Sequence, residues 1–243
     1  MIRLLAPAKL TLSLAITSVR SDGFHLISAE MVSLDIADEI VIAPADSTAI
    51  SVVGPYALGV PTNENNLVFK ALELVQRTAD VHIVKNIPHG GGLGGGSTDA
   101  AAVLRWAGFT DLESAAALGA DIAFCLNGSR AWVSGIGEIL EPVSPKVEDI
   151  TLFIPPIHVS TPIVYKQWDT MGGPTGDHKN DLEPAVLVAY PEMSTWRDHI
   201  ESVSGHRPFL AGSGATWFTY GHIESLTGLS DKVQVVYTTT QPR

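Results

Sequence analysis

The chain has 243 residues, 45% of them hydrophobic and 17% charged. With no charge block or low-complexity tract, it is an ordinary globular composition, long enough for one or two domains with a real core. A formal net charge of −11 excludes a general nucleic-acid or anionic-membrane surface, so any phosphate ligand has to be held by backbone N–H groups and a few placed Lys or Arg residues. The single cysteine, Cys125, excludes an intramolecular disulfide framework and a Cys-rich metal site, and fits a reducing compartment.

The apolar start "MIRLLAPAKLTLSLAIT" is broken by Pro7 and Lys9 and alternates in polarity. It reads as neither a signal peptide nor a membrane span, so the expected location is the cytoplasm. Leu10, Leu12, Leu14 and Ile16 alternate with Thr11, Ser13, Ala15 and Thr17, a strand pattern that "RSDGFH" ends in a turn. The runs "HLISAEMVSLDI", "DEIVIAP" and "AISVVG" continue a mostly antiparallel sheet. In "NENNLVFKALELVQR" the period changes, and Leu67, Val68, Ala71, Leu72, Leu74 and Val75 form one apolar helical face.

"DVHIVKNIP" predicts a strand. A glycine loop and a helix over about 97–106 follow it, then a short helix in "DLESAAAL" stopped by Gly119. Asp121 opens "DIAFCL", a helical turn, and "RAWVSGIGEILEPV" reads as a hairpin. Pro and charge cluster in "PVSPKVED", which places a domain boundary between residues 1–145 and 146–243. The second part reads as a small α+β domain: the strand "ITLFIP", helices near 162–168, 181–189 and 194–203, then "FLAGSGATWFTYG" and "KVQVVY". No internal repeat is present.

The stretch "IPHGGGLGGGSTDAAA" places six glycines between Gly90 and Gly96, directly before a helix start. A strand, a bare loop and a helix N-terminus make an anion site, because free N–H groups and the helix dipole face the ligand and missing side chains let a polyphosphate touch the backbone. Ser97 and Thr98 add hydroxyls, and Asp99 is expected in the first turn. No Gly-Lys-Ser/Thr follows, so this is not a Walker A loop.

Other positions keep two readings. Lys9 is a solvated surface charge or a cation facing a phosphate or a nearby carboxylate. Asp121 is a helix N-cap, a general base for a substrate hydroxyl, or both. Gly212-Ser213-Gly214 is a tight turn or part of a site, and "DGFH" a hairpin turn or part of a pocket. The histidines show no metal-ligand spacing, and no metal residue is assigned.

In their order along the chain, "PAKLTLSLAIT", "IPHGGGLGGGSTDAAA" and "LAGSGATWF" resemble the three motifs of the GHMP kinase superfamily. "SDGFH", "NNLVFKA", "LGADIAFC", "GIGEILEPV", "VSTPIVY" and "NDLEPAV" are similar to the branch that acts on 4-diphosphocytidyl-2-C-methyl-D-erythritol, in the methylerythritol phosphate route to isoprenoid precursors. The resemblance runs from about Ala6 to Phe218. It implies an α+β two-domain fold: an N-terminal ribosomal-protein-like α/β domain with a left-handed βαβ crossover, then a ferredoxin-like α+β domain, with the active site between them.

It further implies transfer of the γ-phosphoryl group of ATP, with Mg²⁺, to the 2-hydroxyl of that alcohol. Asp121 would be the catalytic base and Lys9 its partner. Pro88, Gly90, Gly91, Gly92, Leu93, Gly94, Gly95, Gly96, Ser97 and Thr98 would bind ATP, with Asn66, Lys85 and Asp99 lining the adenosine pocket. Thr11, Gly212 and Ser213 would face the substrate, His25 would hydrogen-bond the cytosine, and Phe24 and Tyr165 would stack on it. Thr11 stands where the superfamily branch usually has Asn, and Phe24 where it usually has Tyr. The expected partner is a small molecule, with no nucleic acid or membrane, and the chain a monomer or homodimer. The rival readings are a sister kinase of the homoserine or mevalonate type and a catalytically impaired nucleotide-binding relative.

Overall fold

Two long strands, β1 (Ile2–Val19) and β2 (His25–Pro44), open the computed structural model, which describes residues 1–88 and 91–241. They pair antiparallel, and β1 occupies one edge of β2 along nearly its whole length. After β2 come β3 (Ala49–Val53), α1 (Leu67–Leu74) and β4 (Ala79–Val84). Then follow α2 (Gly95–Ala107), α3 (Leu112–Leu118), α4 (Ala120–Asn127) and the predicted hairpin, β5 (Arg130–Gly135) and β6 (Ile139–Pro142).

The sequence divides residues 25–44 into two strand-like runs, whereas the structure joins them in one strand. The reason is the second edge of β2: residues 27–32 pair with β5 and residues 39–44 with β4, so both halves complete their backbone hydrogen bonds in one sheet. β3 runs parallel to β4, with α1 as the crossover between them. The rest of the chain forms β7 (Asp149–Ile154), α5 (Thr161–Thr170), α6 (Glu183–Ala189), α7 (Glu192–Ser204), β8 (Phe209–Leu210), β9 (Trp217–Tyr220) and β10 (Gln234–Thr239). Its four strands make an antiparallel sheet in the order β10-β7-β9-β8. Two sheets with helices on them are the expected α+β architecture.

A simple alternation along β1 would put Leu10, Leu12 and Leu14 on one face. The register shifts between Pro7 and Lys9, and again between Thr11 and Ser13. At the first shift two steps along β1 match four along β2, and at the second two along β1 match one along β2, so the regular pairing is broken at both. Ala6 and Leu14 therefore enter the main core, while Ala8, Leu10 and Leu12 enter a second one with Leu34, Leu152 and Phe218. That second core joins the two sheets, and each fully buried Leu, Ile or Phe in it contributes about 1.5–3 kcal/mol. Between the shifts, Lys9 and Thr11 are held buried on the opposite face.

In α1, Val68, Ala71 and Leu72 are buried, while Leu74 ends the helix half-exposed, off the apolar stripe the sequence assigns it to. Asp111 caps α3 by accepting from Glu113 and Ser114.

The segment before α6 ties the halves together. Leu14 N donates to Lys179 O and Asp181 N to Leu14 O, at 2.8 and 2.9 Å. The buried Asn180 donates its side-chain amide to the carbonyls of Leu210 and Gly212, at 2.9 and 2.7 Å. Asn180→Ala would leave both carbonyls without that partner, and we expect a loss of about 1–3 kcal/mol in urea unfolding. A variant as stable as the wild type would show that solvent replaces the amide.

Candidate active site

α2 begins at Gly94, a left-handed residue (φ 72°) without a side-chain cap, and its first intrahelical bond runs from Thr98 N to Gly94 O. The N–H groups of Gly95, Gly96 and Ser97 thus have no intrahelical acceptor, as at any helix start. Gly95 and Gly96 border a cavity of about 290 Å³ whose walls include Pro61, Asn66, Lys85, Pro88, Gly94 and Asp99.

The missing side chains also let the loop touch the protein itself. A Cβ on Gly94 would come within 2.7 Å of the Lys9 side chain, and one on Gly92 within 2.8 Å of the Gly214 carbonyl. The loop between β8 and β9 and the lysine on β1 are therefore pressed against bare backbone.

Lys9 stands at the centre. Its backbone N–H donates to Leu93 O at 3.0 Å. Its ammonium is 3.1 Å from Thr11 Oγ1 and 3.1 Å from Asp121 Oδ2. The N-cap position of α4 belongs to Gly119, so Asp121 lies inside the first turn and is not the cap that its sequence position suggests. It is free to hold Lys9. Around this pair a cavity of about 200 Å³ is lined also by Ser97, Tyr165, Gly212 and Ser213.

Through Ile27, Ala120 and Tyr165 this space adjoins a larger cavity of about 620 Å³. Its walls are mostly apolar, with His25, Tyr165, Lys166 and Asp169 as the charged or titratable groups. The His25 ring centroid lies 4.7 Å from that of Tyr165, tilted by 44°. Burial, with the Asp121 carboxylate beside it, pushes the Tyr165 phenol up to about 12, so it stays neutral and its ring serves as a wall. Phe24 stands at the rim, 55% exposed, with the Arg20 guanidinium over its ring.

The GHMP kinases N terminal domain model matches residues 66–129, from the cap of α1 to the end of α4. The chain is 35% identical to the 4-diphosphocytidyl-2-C-methyl-D-erythritol kinase of Dinoroseobacter shibae, over 88% of this chain and 83% of that protein. It is 36% identical to the enzyme of the same name from Paracoccus denitrificans, over 88% and 84%. A crystal structure of 4-(cytidine 5'-diphospho)-2C-methyl-D-erythritol kinase matches at a TM-score of 0.72 and 28% identity, covering 99% of this chain and all of that one. A mevalonate kinase matches at 0.59 and 11% identity, which shows the fold alone.

The chain belongs to the 4-diphosphocytidyl-2-C-methyl-D-erythritol kinase family.

Within this family frame, most of the expected site residues line one of the three adjoining cavities. Lys9, Thr11, Ser97, Asp121, Tyr165, Gly212 and Ser213 surround the central one, and Phe24 and His25 the large one. Asn66, Lys85, Pro88, Gly92, Leu93, Gly94, Gly95, Gly96 and Asp99 border the loop cavity. Gly91 lies against Thr216, and Gly90 falls outside the described residues.

Several side chains are engaged elsewhere. Thr98 is buried and donates its hydroxyl to Pro7 O at 2.7 Å, so it fastens α2 to β1 instead of facing a ligand. Leu93 belongs to the second core. Asn66 caps α1 through Val68 N and donates to Pro61 O. Ser213 Oγ meets Thr161 Oγ1 at 2.7 Å.

Asp99 is not in the first turn of α2. It is buried one position deeper, 2.7 Å from Lys85 Nζ. Sequence reading missed its neighbour Asp38, which accepts from the Lys85 ammonium and from the N–H groups of Asn86 and Ile87. Only the run of acidic residues in "DIADEI" pointed to it. Among the described residues, no group of three His, Cys, Asp or Glu gathers as a metal site, and no helix is long and apolar enough to cross a membrane.

Two carboxylates share one ammonium here. Burial, opposed by Lys85 and reinforced by Asp38, pushes Asp99 up to about 7 from an ordinary 3.8. For Lys85, burial works against the charge, but the Asp99 and Asp38 carboxylates outweigh it and raise its value. With a folded value above the unfolded one, Asp99 contributes stability that is full below about pH 4 and lost as pH rises to about 7. Urea midpoints measured across that window should fall with pH more steeply in the wild type than in Asp99→Asn. Parallel curves would show that Asp99 takes no part in the titration.

Proposed function

We propose that this chain transfers the γ-phosphoryl group of ATP to the 2-hydroxyl of 4-diphosphocytidyl-2-C-methyl-D-erythritol. The observation that carries this reading is the Lys9–Asp121 pair, set between a helix N-terminus with free N–H groups and a mostly apolar cavity walled by His25 and Tyr165. Relatives at 35–36% identity over more than four-fifths of their length carry the name of this activity.

In this reading the backbone of the glycine loop and the start of α2 hold the phosphates, and Asn66, Lys85, Pro88 and Asp99 wall the adenosine. Asp121 receives the hydroxyl proton as the alcohol oxygen bonds to the γ-phosphorus and the bond to ADP breaks. Lys9 stays beside the transferred group as a fixed positive charge, and Thr11 holds Lys9. Phosphoryl transfer asks mainly for such positioning and charge stabilisation.

Mg²⁺, arriving on ATP, would offset charge on the phosphates. Among the residues of the first turn of α2, Ser97 has a hydroxyl on the central cavity and would be the side chain to meet such an ion, the phosphates and water supplying the rest. His25, Phe24 and Tyr165 hold the cytosine. The two-domain division falls at residues 145 and 146, between β6 of the first sheet and β7 of the second. The reading places the enzyme in the cytoplasm as a monomer or homodimer with no nucleic-acid or membrane partner. The net charge of −11 supports the absence of a nucleic-acid or anionic-membrane partner.

A coupled ADP-release assay with MgATP and the cytidylylated methylerythritol tests the proposal. The alcohol should stimulate ADP release, and Asp121→Asn should lower kcat by about 10²–10⁴-fold, the usual range for a general base. Turnover of homoserine or mevalonate, with none of this alcohol, would move the assignment to a sister kinase.

Phe24→Ala should raise KM for the cytidylylated alcohol by about tenfold, from one lost stacking contact, and leave KM for ATP nearly unchanged. Equal effects on both substrates would remove Phe24 from the pocket.

A further inference from the structure

We propose that Asp169 fixes the tautomer of His25 and thereby sets the choice of cytosine over uracil. The inference rests on the reading above, in which the large cavity takes the cytidylyl group.

His25 begins β2 and Asp169 lies near the end of α5, 144 positions later in the chain. His25 Nε2 is 2.8 Å from Asp169 Oδ1. A carboxylate only accepts hydrogen bonds, so Nε2 has to carry the proton in this contact. In the neutral ring the other nitrogen, Nδ1, is then a bare acceptor, and among the described residues no hydrogen bond engages it.

The ring has little freedom to exchange these roles. The His25 side chain is 10% exposed. Tyr165 packs beside it, and Trp168 meets it edge-on at 5.5 Å and 82°. Both aromatic residues come from α5, the helix that carries Asp169, so one helix packs the ring and anchors its donor nitrogen. Asp169 is half-exposed and borders the same cavity.

Cytosine and uracil share ring size and stacking surface. They differ at the 4-position, where cytosine has an amino donor and uracil a carbonyl acceptor. An acceptor fixed at Nδ1 takes a hydrogen bond from the amine. Against the uracil carbonyl it leaves two acceptors facing each other, so discrimination comes from an unpaired polar group beside the buried imidazole. Without Asp169 the imidazole can move its proton to Nδ1 and serve either base. Asp169 is a positioning residue here and acts through His25.

Binding of cytidine and uridine 5′-diphosphate is measured by calorimetry, with the glycine loop saturated by a non-hydrolysable ATP analogue. The wild type should favour the cytidine nucleotide by roughly tenfold or more, and Asp169→Ala should reduce the preference to about threefold or less. In mildly alkaline buffer, ¹⁵N imidazole spectra of the free protein should show His25 as the Nε2–H tautomer in the wild type and as a mixture in Asp169→Ala. The signal is assigned by its loss in His25→Asn.

A purely structural role for Asp169 would weaken both nucleotides alike and leave the tautomer unchanged. A wild type that prefers cytidine and a variant that keeps that preference would overturn the inference while leaving the cytidylyl reading intact. A wild type that binds both nucleotides equally would overturn the reading, and the inference with it.

Discussion

The Lys9 ammonium lies on a strand between two hydrophobic cores with its side chain only 6% exposed, and a cation taken so far out of water has to be paired. Asp121 supplies the charge and Thr11 the remaining acceptor. The geometry of the site follows from that requirement. Between its register shifts the strand alternates regularly, which puts Leu10 and Leu12 in the second core and leaves Lys9 and Thr11 on the opposite face. α4 has to begin with Gly119 as its cap so that Asp121 keeps its carboxylate for the lysine. The glycine loop has to lie bare against the lysine stem at Gly94. Lys9 therefore belongs to the architecture as much as to the chemistry.

A second buried lysine shows a different balance. Lys9 faces one carboxylate, but Lys85 faces two, Asp38 and Asp99. Burial, though opposed by Lys85, pushes the Asp99 carboxyl up to about 7. Asp38 also accepts from two backbone N–H groups at the end of β4, which gives the last turn before the glycine loop a fixed shape. With a net charge of −11, the protein cannot offer a phosphate a broad positive surface. In the reading proposed above it offers oriented N–H groups instead, and the Lys85 cluster packs beneath the loop that carries them.

The sequence made the local parts of this arrangement legible. Asp111 before "LESAAAL" is a cap by type and position, and it caps. The glycine run before "STDAAA" marks a loop entering a helix, although that helix starts two residues earlier, at Gly95. The "RAWVSGIGEILEPV" hairpin pairs as read. What stayed hidden depends on residues distant in the chain. Asp38 reaches Lys85 across 47 positions, and His25 reaches Asp169 across 144. Thr98 reads as a phosphate ligand because it follows the glycines, yet the bulged β1 presents Pro7 O to it. The register shifts were hidden too, because a period-2 pattern in one strand carries no record of where its partner's register slips.

The two departures from the family's usual residues fall where the structure absorbs them. At position 11, Thr keeps an oxygen 3.1 Å from the Lys9 ammonium, so the hold on the central charge survives the loss of an amide. At position 24, Phe keeps its ring at an exposed rim, where a phenol hydroxyl would meet water. Thr11 touches the Lys9–Asp121 pair only through this one hydrogen bond, and the contact between Lys9 and Asp121 stands at 3.1 Å beside it. The cavity under the glycine loop rests on buried ion pairs and backbone packed against backbone, whereas the large cavity is built partly from exposed groups. In the reading proposed above, the Phe24 ring adjusts affinity for the alcohol from the rim, while Thr11 keeps an oxygen on the lysine that stands beside the transferred group.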